Sequence, residues 1–188
     1  MTATAAKRPL LCEDDNEVVT RTRLRSRLQT IADFQCPAFL PLDRQITQVS
    51  LTGLMPPLGG PLCLFFYGSD FSPEAERAIW QINTEISTLL NLGAHVVAIS
   101  TDSVYVHGAF ATRLTWPPTY PLLSDTTRLI AHAFGVADPS SGTCRRAAVV
   151  LDGERQLRLS LILGRNEENY PMKRIVHTIL ELARAETE

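Results

Sequence analysis

A chain of 188 residues with 45% hydrophobic content is the size of one domain and apolar enough to bury a core, which excludes a disordered or fibrous protein. Its 18 basic residues against 20 acidic ones leave no overall field, which argues against a partner recognised by bulk charge, such as nucleic acid or an anionic membrane. Four cysteines, Cys12, Cys36, Cys63 and Cys144, lie far apart with no CxxC pair, so the pattern is neither a disulfide scaffold nor a structural zinc site and suits a reducing compartment. No apolar run has the length of a leader or a membrane span, and a cytoplasmic location is expected.

Residues 1–30 combine the acidic cluster CEDDNE with the basic alternation TRTRLRSR, and are expected to form a partly mobile arm ahead of a single domain over 31–188. The alternating Arg21, Arg23, Arg25 and Arg27 are read as a solvated face without assigned function. The stretch DFQCPAFLPLDRQITQVSLTGL, residues 33–54, carries strand-like alternation around a turn and predicts a hairpin. From residue 61 the pattern changes: PLCLFFY and AHVVAIS are short continuous apolar runs, as in strands buried on both faces. Between them Ala75, Ile79, Ile82, Ile86 and Leu89 recur three or four apart and predict one helix with a core-facing stripe. Ser72 is a good N-cap, Pro73 suits the first helical position, and Glu74 and Glu76 place negative charge at the positive end of the dipole, so the helix begins just after Phe71.

Downstream, SVYVHGAFATRL predicts a helix, YPLLSD a strand, TTRLIAHAFG a helix closed by Gly135, and RRAAVVLD a strand. After a turn at DGER, the segment QLRLSLILG sets Leu157, Leu159, Leu161 and Leu163 against Gln156, Arg158, Ser160 and Ile162, a half-buried antiparallel strand; MKRIVHTILELARA is the last helix. The sum is an α/β domain, thioredoxin-like, with a central mixed sheet flanked by helices.

Candidate chemistry is sparse. Glu74 and Glu76 are read as capping charge rather than as an acid and base. None of His95, His107, His132 and His177 has metal-ligand spacing, and there is no glycine-rich phosphate loop or aromatic-basic pattern; no metal, cofactor or nucleic-acid partner is expected. Cys36 and Cys63 are read as small core hydrophobes.

The blocks LFFYGSDFS, VVAISTDSVYVHGAF and YPLLSDTTRLIAHAFGV, following the hairpin segment, resemble the peroxiredoxins in order and spacing, closest to the alkyl hydroperoxide reductase or typical two-cysteine branch. The resemblance covers roughly residues 33–184. It implies the peroxiredoxin fold and, for intact members, thiol peroxidase chemistry. An ungapped match through Asp70 and Phe71 puts Ser72 on a family threonine and Ala75 on the peroxidatic cysteine. Arg146 matches the arginine that activates that cysteine, and no cysteine follows Cys144 to act as the resolving thiol.

Two expectations follow. The preferred one is a pseudo-peroxidase, a peroxiredoxin fold kept as a binding, scaffold or assembly module. The other is an enzyme: either a thiol peroxidase represented by its Cys-to-Ala form, or repurposed chemistry around Arg146. In the repurposed case Cys144, two residues from Arg146 in an extended segment, supplies a relocated thiol from the opposite wall. A thiol restored at position 75 is expected to be activated by the helix end and Arg146. The partners expected are a second copy, pairing through the 156–164 strand, and a small-molecule or protein ligand at a pocket formed by residues 72–76 and Arg146.

Overall fold

The computed structural model describes residues 29–164 and 167–185. Nearly all of the arm assigned to 1–30, with Cys12 and the four alternating arginines, lies outside those residues.

The hairpin opens the fold: β1 (Gln35–Leu40) and β2 (Gln45–Ser50) pair antiparallel with Leu40 opposite Gln45. The sequence SLTGL does not continue the strand as its alternation suggested. Ser50 adopts an extended cap conformation and accepts from the Gly53 N–H (3.0 Å), and Leu51–Leu54 close one helical turn, α1. Next come β3 (Leu62–Phe66), α2 (Pro73–Asn91), β4 (His95–Ser100), α3 (Val104–Arg113) and β5 (Leu122–Ser124). A short α4 (Leu129–Ala133), β6 (Ala147–Leu151), β7 (Leu157–Ile162) and α5 (Met172–Ala185) complete the described chain. Gly135 ends the α4 segment at φ 69°, where a side chain would strain the left-handed backbone.

The seven strands form one sheet in the order β2-β1-β5-β4-β3-β6-β7. β3, β4 and β5 run parallel, and the remaining pairings are antiparallel, which is the mixed thioredoxin-like arrangement. Alternation along β3 divides the core in two. Cys63, Phe65 and the following Tyr67 face α2, α3 and α5, whereas Leu62, Leu64 and Phe66 face α1 and α4.

The leucine alternation of β7 is broken at its first residue. A register shift between Val150 and Leu151 makes Leu157 pair with Leu151 and Leu159 with Val150, leaving Arg158 as the extra residue. Leu157 therefore packs with the α1 and α4 face while Leu159, Leu161 and Leu163 pack with the α2 and α5 face. Residues 29–31 run along the outer edge at the start of this strand, where the Leu157 N–H donates to the Gln29 carbonyl (3.1 Å) and the Ile31 N–H to that of Arg155 (2.9 Å).

Candidate functional site

The end of β3, the turn that follows it and the first turn of α2 form the region singled out by the sequence. Ser72 sits at φ −87° and ψ 150°, accepts from the Ala75 N–H (3.1 Å) and donates its hydroxyl hydrogen to the Ser69 carbonyl (2.7 Å). Its hydroxyl is thus engaged on both sides within the turn. Ala75 is 0% exposed and packs in the cluster beneath α2. Between Asp70 and Ser72, Phe71 adopts φ 61°, an unusual conformation for a large side chain. Its ring lies edge-on to Phe110 (5.3 Å between centroids) with the Arg113 guanidinium 5.9 Å from its centre.

Arg146 points its guanidinium at the loop between β7 and α5. Nη1 donates to the Glu168 carbonyl (2.8 Å) and Nη2 to that of Glu167. Arg146 and Glu74 line one open depression together with Asp138, Arg145, Leu163 and Gly164. The fold therefore brings Arg146 to the first turn of α2, but Ser72 and Ala75 are not among the residues lining that depression. A neighbouring groove holds the chain's two tryptophans, Trp80 at 54% and Trp116 at 67% exposure, with Arg77 and Arg113. The Asn83 amide donates to the Trp116 carbonyl (2.8 Å) and so ties that loop to α2.

Cys144 is placed elsewhere. It precedes β6, which begins at Ala147, and makes an isolated bridge with Ala137, so the strand alternation that was to aim it alongside Arg146 does not extend to it. Its side chain is buried with Leu64, Phe66 and Ile130 on the α1 and α4 face, the opposite side of the sheet from Ala75. Burial, with Asp125 and Asp102 adding to it, pushes the thiol up to about 12. Cys36 and Cys63 are also buried and free, and burial pushes each of them up to about 12. A thiolate nucleophile at neutral pH is therefore disfavoured at every described cysteine.

What sequence reasoning missed lies directly under the turn. Asp70 and His107, both buried, meet with Oδ2 and Nδ1 2.7 Å apart, and the Tyr67 hydroxyl donates to Oδ1 of Asp70 (2.8 Å). The Asp70 N–H donates to Oδ2 of Asp102 (2.8 Å), which also accepts from the Ser100 hydroxyl (3.0 Å); the Ser124 hydroxyl donates to the Asp102 carbonyl (2.6 Å). Burial first, then the Asp70 carboxylate, holds the Tyr67 phenol well above its usual range, so it remains a donor. Asp70 and His107 both fall inside the quoted sequence blocks, but 37 positions separate them and no local spacing announces their contact.

The family model of the AhpC/TSA family matches residues 29–160. The alkyl hydroperoxide reductase C of Buchnera aphidicola subsp. Baizongia pistaciae is 30% identical over 112 residues, which is 55% of this chain and 56% of that protein. That of Buchnera aphidicola subsp. Acyrthosiphon pisum is 27% identical over 147 residues, 73% of this chain and 74% of that protein. Among solved structures, Enterococcus faecalis AhpC superposes with a TM-score of 0.76 at 27% identity, covering 85% of this chain and 93% of that one. The peroxidoxin BcpB of Mycobacterium tuberculosis gives a TM-score of 0.68 at 26% identity, over 82% and 96% of the two chains.

Proposed function

Because the chain belongs to the AhpC/TSA family and has its fold, we propose that it is a pseudo-peroxidase, a peroxiredoxin domain that works by binding and assembly rather than by thiol chemistry. This reading is supported by Ala75, which the resemblance aligns with the peroxidatic cysteine and which is wholly buried. Thiol reduction of a peroxide needs a thiolate that can reach the oxygen, and burial keeps Cys36, Cys63 and Cys144 protonated at neutral pH. The depression between Glu74 and Arg146 is where a ligand is proposed to sit, Arg145 and Arg146 being balanced there by Glu74 and Asp138.

Peroxide consumption in the presence of a thiol reductant is the direct test. The protein is expected to add nothing to the background of the reductant, and turnover above it overturns the reading. Should turnover appear, Cys12→Ser and Cys144→Ser variants locate the thiol responsible.

The same reading includes a homodimer. β7 is one of the two edge strands among those described, β2 being the other; its outer edge is engaged by residues 29–31 at its start, and an edge of this kind is protected by closed pairing with a second copy. Sedimentation at micromolar concentration is expected to give a dimer, and a monomer there rejects this part of the proposal. Buried free thiols support the cytoplasm as its location, and no helix among the described residues is long and apolar enough to cross a membrane.

A further inference from the structure

The buried contact between Asp70 and His107 fixes where hydrogens must be. Nε2 of His107 lies 3.1 Å from the Leu123 carbonyl, and a carbonyl can only accept, so Nε2 carries a hydrogen. On the other side of the ring, Nδ1 is 2.7 Å from Oδ2 of Asp70 and 3.4 Å from the Tyr67 hydroxyl oxygen. That hydroxyl has committed its hydrogen to Oδ1 of Asp70. Without a hydrogen between Nδ1 and Oδ2, two lone pairs would face each other in a dry core. The pair therefore holds one proton more than a neutral imidazole beside a carboxylate. Asp70 already accepts a hydrogen bond at its other oxygen, which favours its ionised form and leaves the proton on the ring.

We propose that Asp70 and His107 form a buried carboxylate–imidazolium pair whose shared proton positions the strand-to-helix turn at the candidate site. The connection to the turn is direct. Asp70 is gripped at its carboxylate by Tyr67 and His107 and at its backbone N–H by Asp102, so both ends of the residue are fixed. Phe71 comes next, and its left-handed φ of 61° persists only where its surroundings over-determine it. Phe71, Ser72 and the first turn of α2 follow from that anchor. Asp70 and His107 are thus positioning residues, and the inference is independent of what, if anything, binds beside Arg146.

Nuclear magnetic resonance of the full chain labelled with 15N-histidine tests it, because a bare ring nitrogen resonates far from a protonated one. At neutral pH both nitrogens of His107 are expected to be of the protonated type. Asp70→Asn supplies the control: its carbonyl can still accept from Tyr67 while its amide donates to Nδ1, so the turn keeps its bonds but the ring no longer needs the extra proton. In that variant one ring nitrogen is expected to become bare while the amide shifts of residues 68–72 stay near those of the unchanged protein. A bare nitrogen on His107 in the unchanged protein overturns the proposal, as does a ring still doubly protonated in Asp70→Asn. His107→Ala tests the positioning: hydrogen exchange of the turn amides is expected to accelerate at least about tenfold while β3 and β4 amides keep their protection. Turn amides as protected as before would show that the pair does not hold the turn.

Discussion

At position 75 helix propensity and burial favour the same small side chain, since alanine is the best helix former and leaves no polar atom in the core. A thiol placed there meets two opposed effects. A helix N-terminus stabilises a negative charge by at most about 2 kcal/mol. Burial works the other way: at Cys63, equally enclosed beneath α2, it raises the thiol from 9.0 to about 12, which corresponds to about 4 kcal/mol against the thiolate. Arg146 offers little relief because its guanidinium is engaged with the Glu167 and Glu168 carbonyls. Ala75→Cys is therefore expected to react with hydrogen peroxide at neutral pH more slowly than free cysteine, contrary to the activation that the resemblance suggested. Stopped-flow peroxide loss with parallel thiol titration measures it, and a rate above that of free cysteine would mean that the first turn of α2 opens readily.

Among the elements, the loop between β7 and α5 is tied down by several side chains from across the site. One is Gln81 of α2, whose amide donates to the Tyr170 carbonyl (2.8 Å) and accepts from the Tyr170 N–H (2.7 Å). Arg146 donates to two consecutive carbonyls of that loop, and Arg77 of α2 adds an exposed ion pair to Glu168 at 3.2 Å. Hydrogen bonds from a charged donor contribute more than neutral ones, whereas the exposed pair contributes little. Arg146→Ala is expected to lower stability by about 1–2 kcal/mol, read from the urea midpoint, and to speed proteolytic cleavage within 164–171. Arg77→Ala is expected to change neither appreciably. What was legible in the sequence at this scale was whatever repeats locally. The start of α2 after Phe71 follows from Ser72 and Pro73 alone, and the continuous apolar runs gave β3 and β4 because both of their faces are covered. Leu157 was misplaced because a bulge reverses the side chain's face without changing the alternation, and SLTGL was misread because one Ser50 hydrogen bond outweighs strand propensity. Within the site, the capping role of Ser72 was readable for the same local reason. The engagement of Arg146 and the pairing of Asp70 with His107 depend on contacts 22 and 37 residues apart, which no local pattern encodes.

For the molecule as a whole, the buried thiols set an alkaline limit. Cys36, Cys63 and Cys144 each ionise near 9.0 in an unfolded chain and only near about 12 when folded, so releasing their protons favours unfolding. Their contribution to stability is complete below pH 9 and is lost progressively as pH rises from 9 toward 12. Urea denaturation followed by far-ultraviolet circular dichroism is expected to show a midpoint falling steeply above pH 9, with a shallower fall in Cys63→Ala. An unchanged midpoint up to pH 11 would mean that water reaches these thiols in the folded state. The placement of the aromatic residues bears on how any such unfolding can be watched. Both tryptophans lie at the surface, whereas Tyr67, Tyr120 and Tyr170, three of the chain's four tyrosines, are buried. Indole emission from the native protein should already have the colour of a solvated ring, and a small quencher should reach both indoles while the core is intact. Tryptophan fluorescence is then nearly blind to the loss of the fold, and the optical record of the core belongs to the tyrosines.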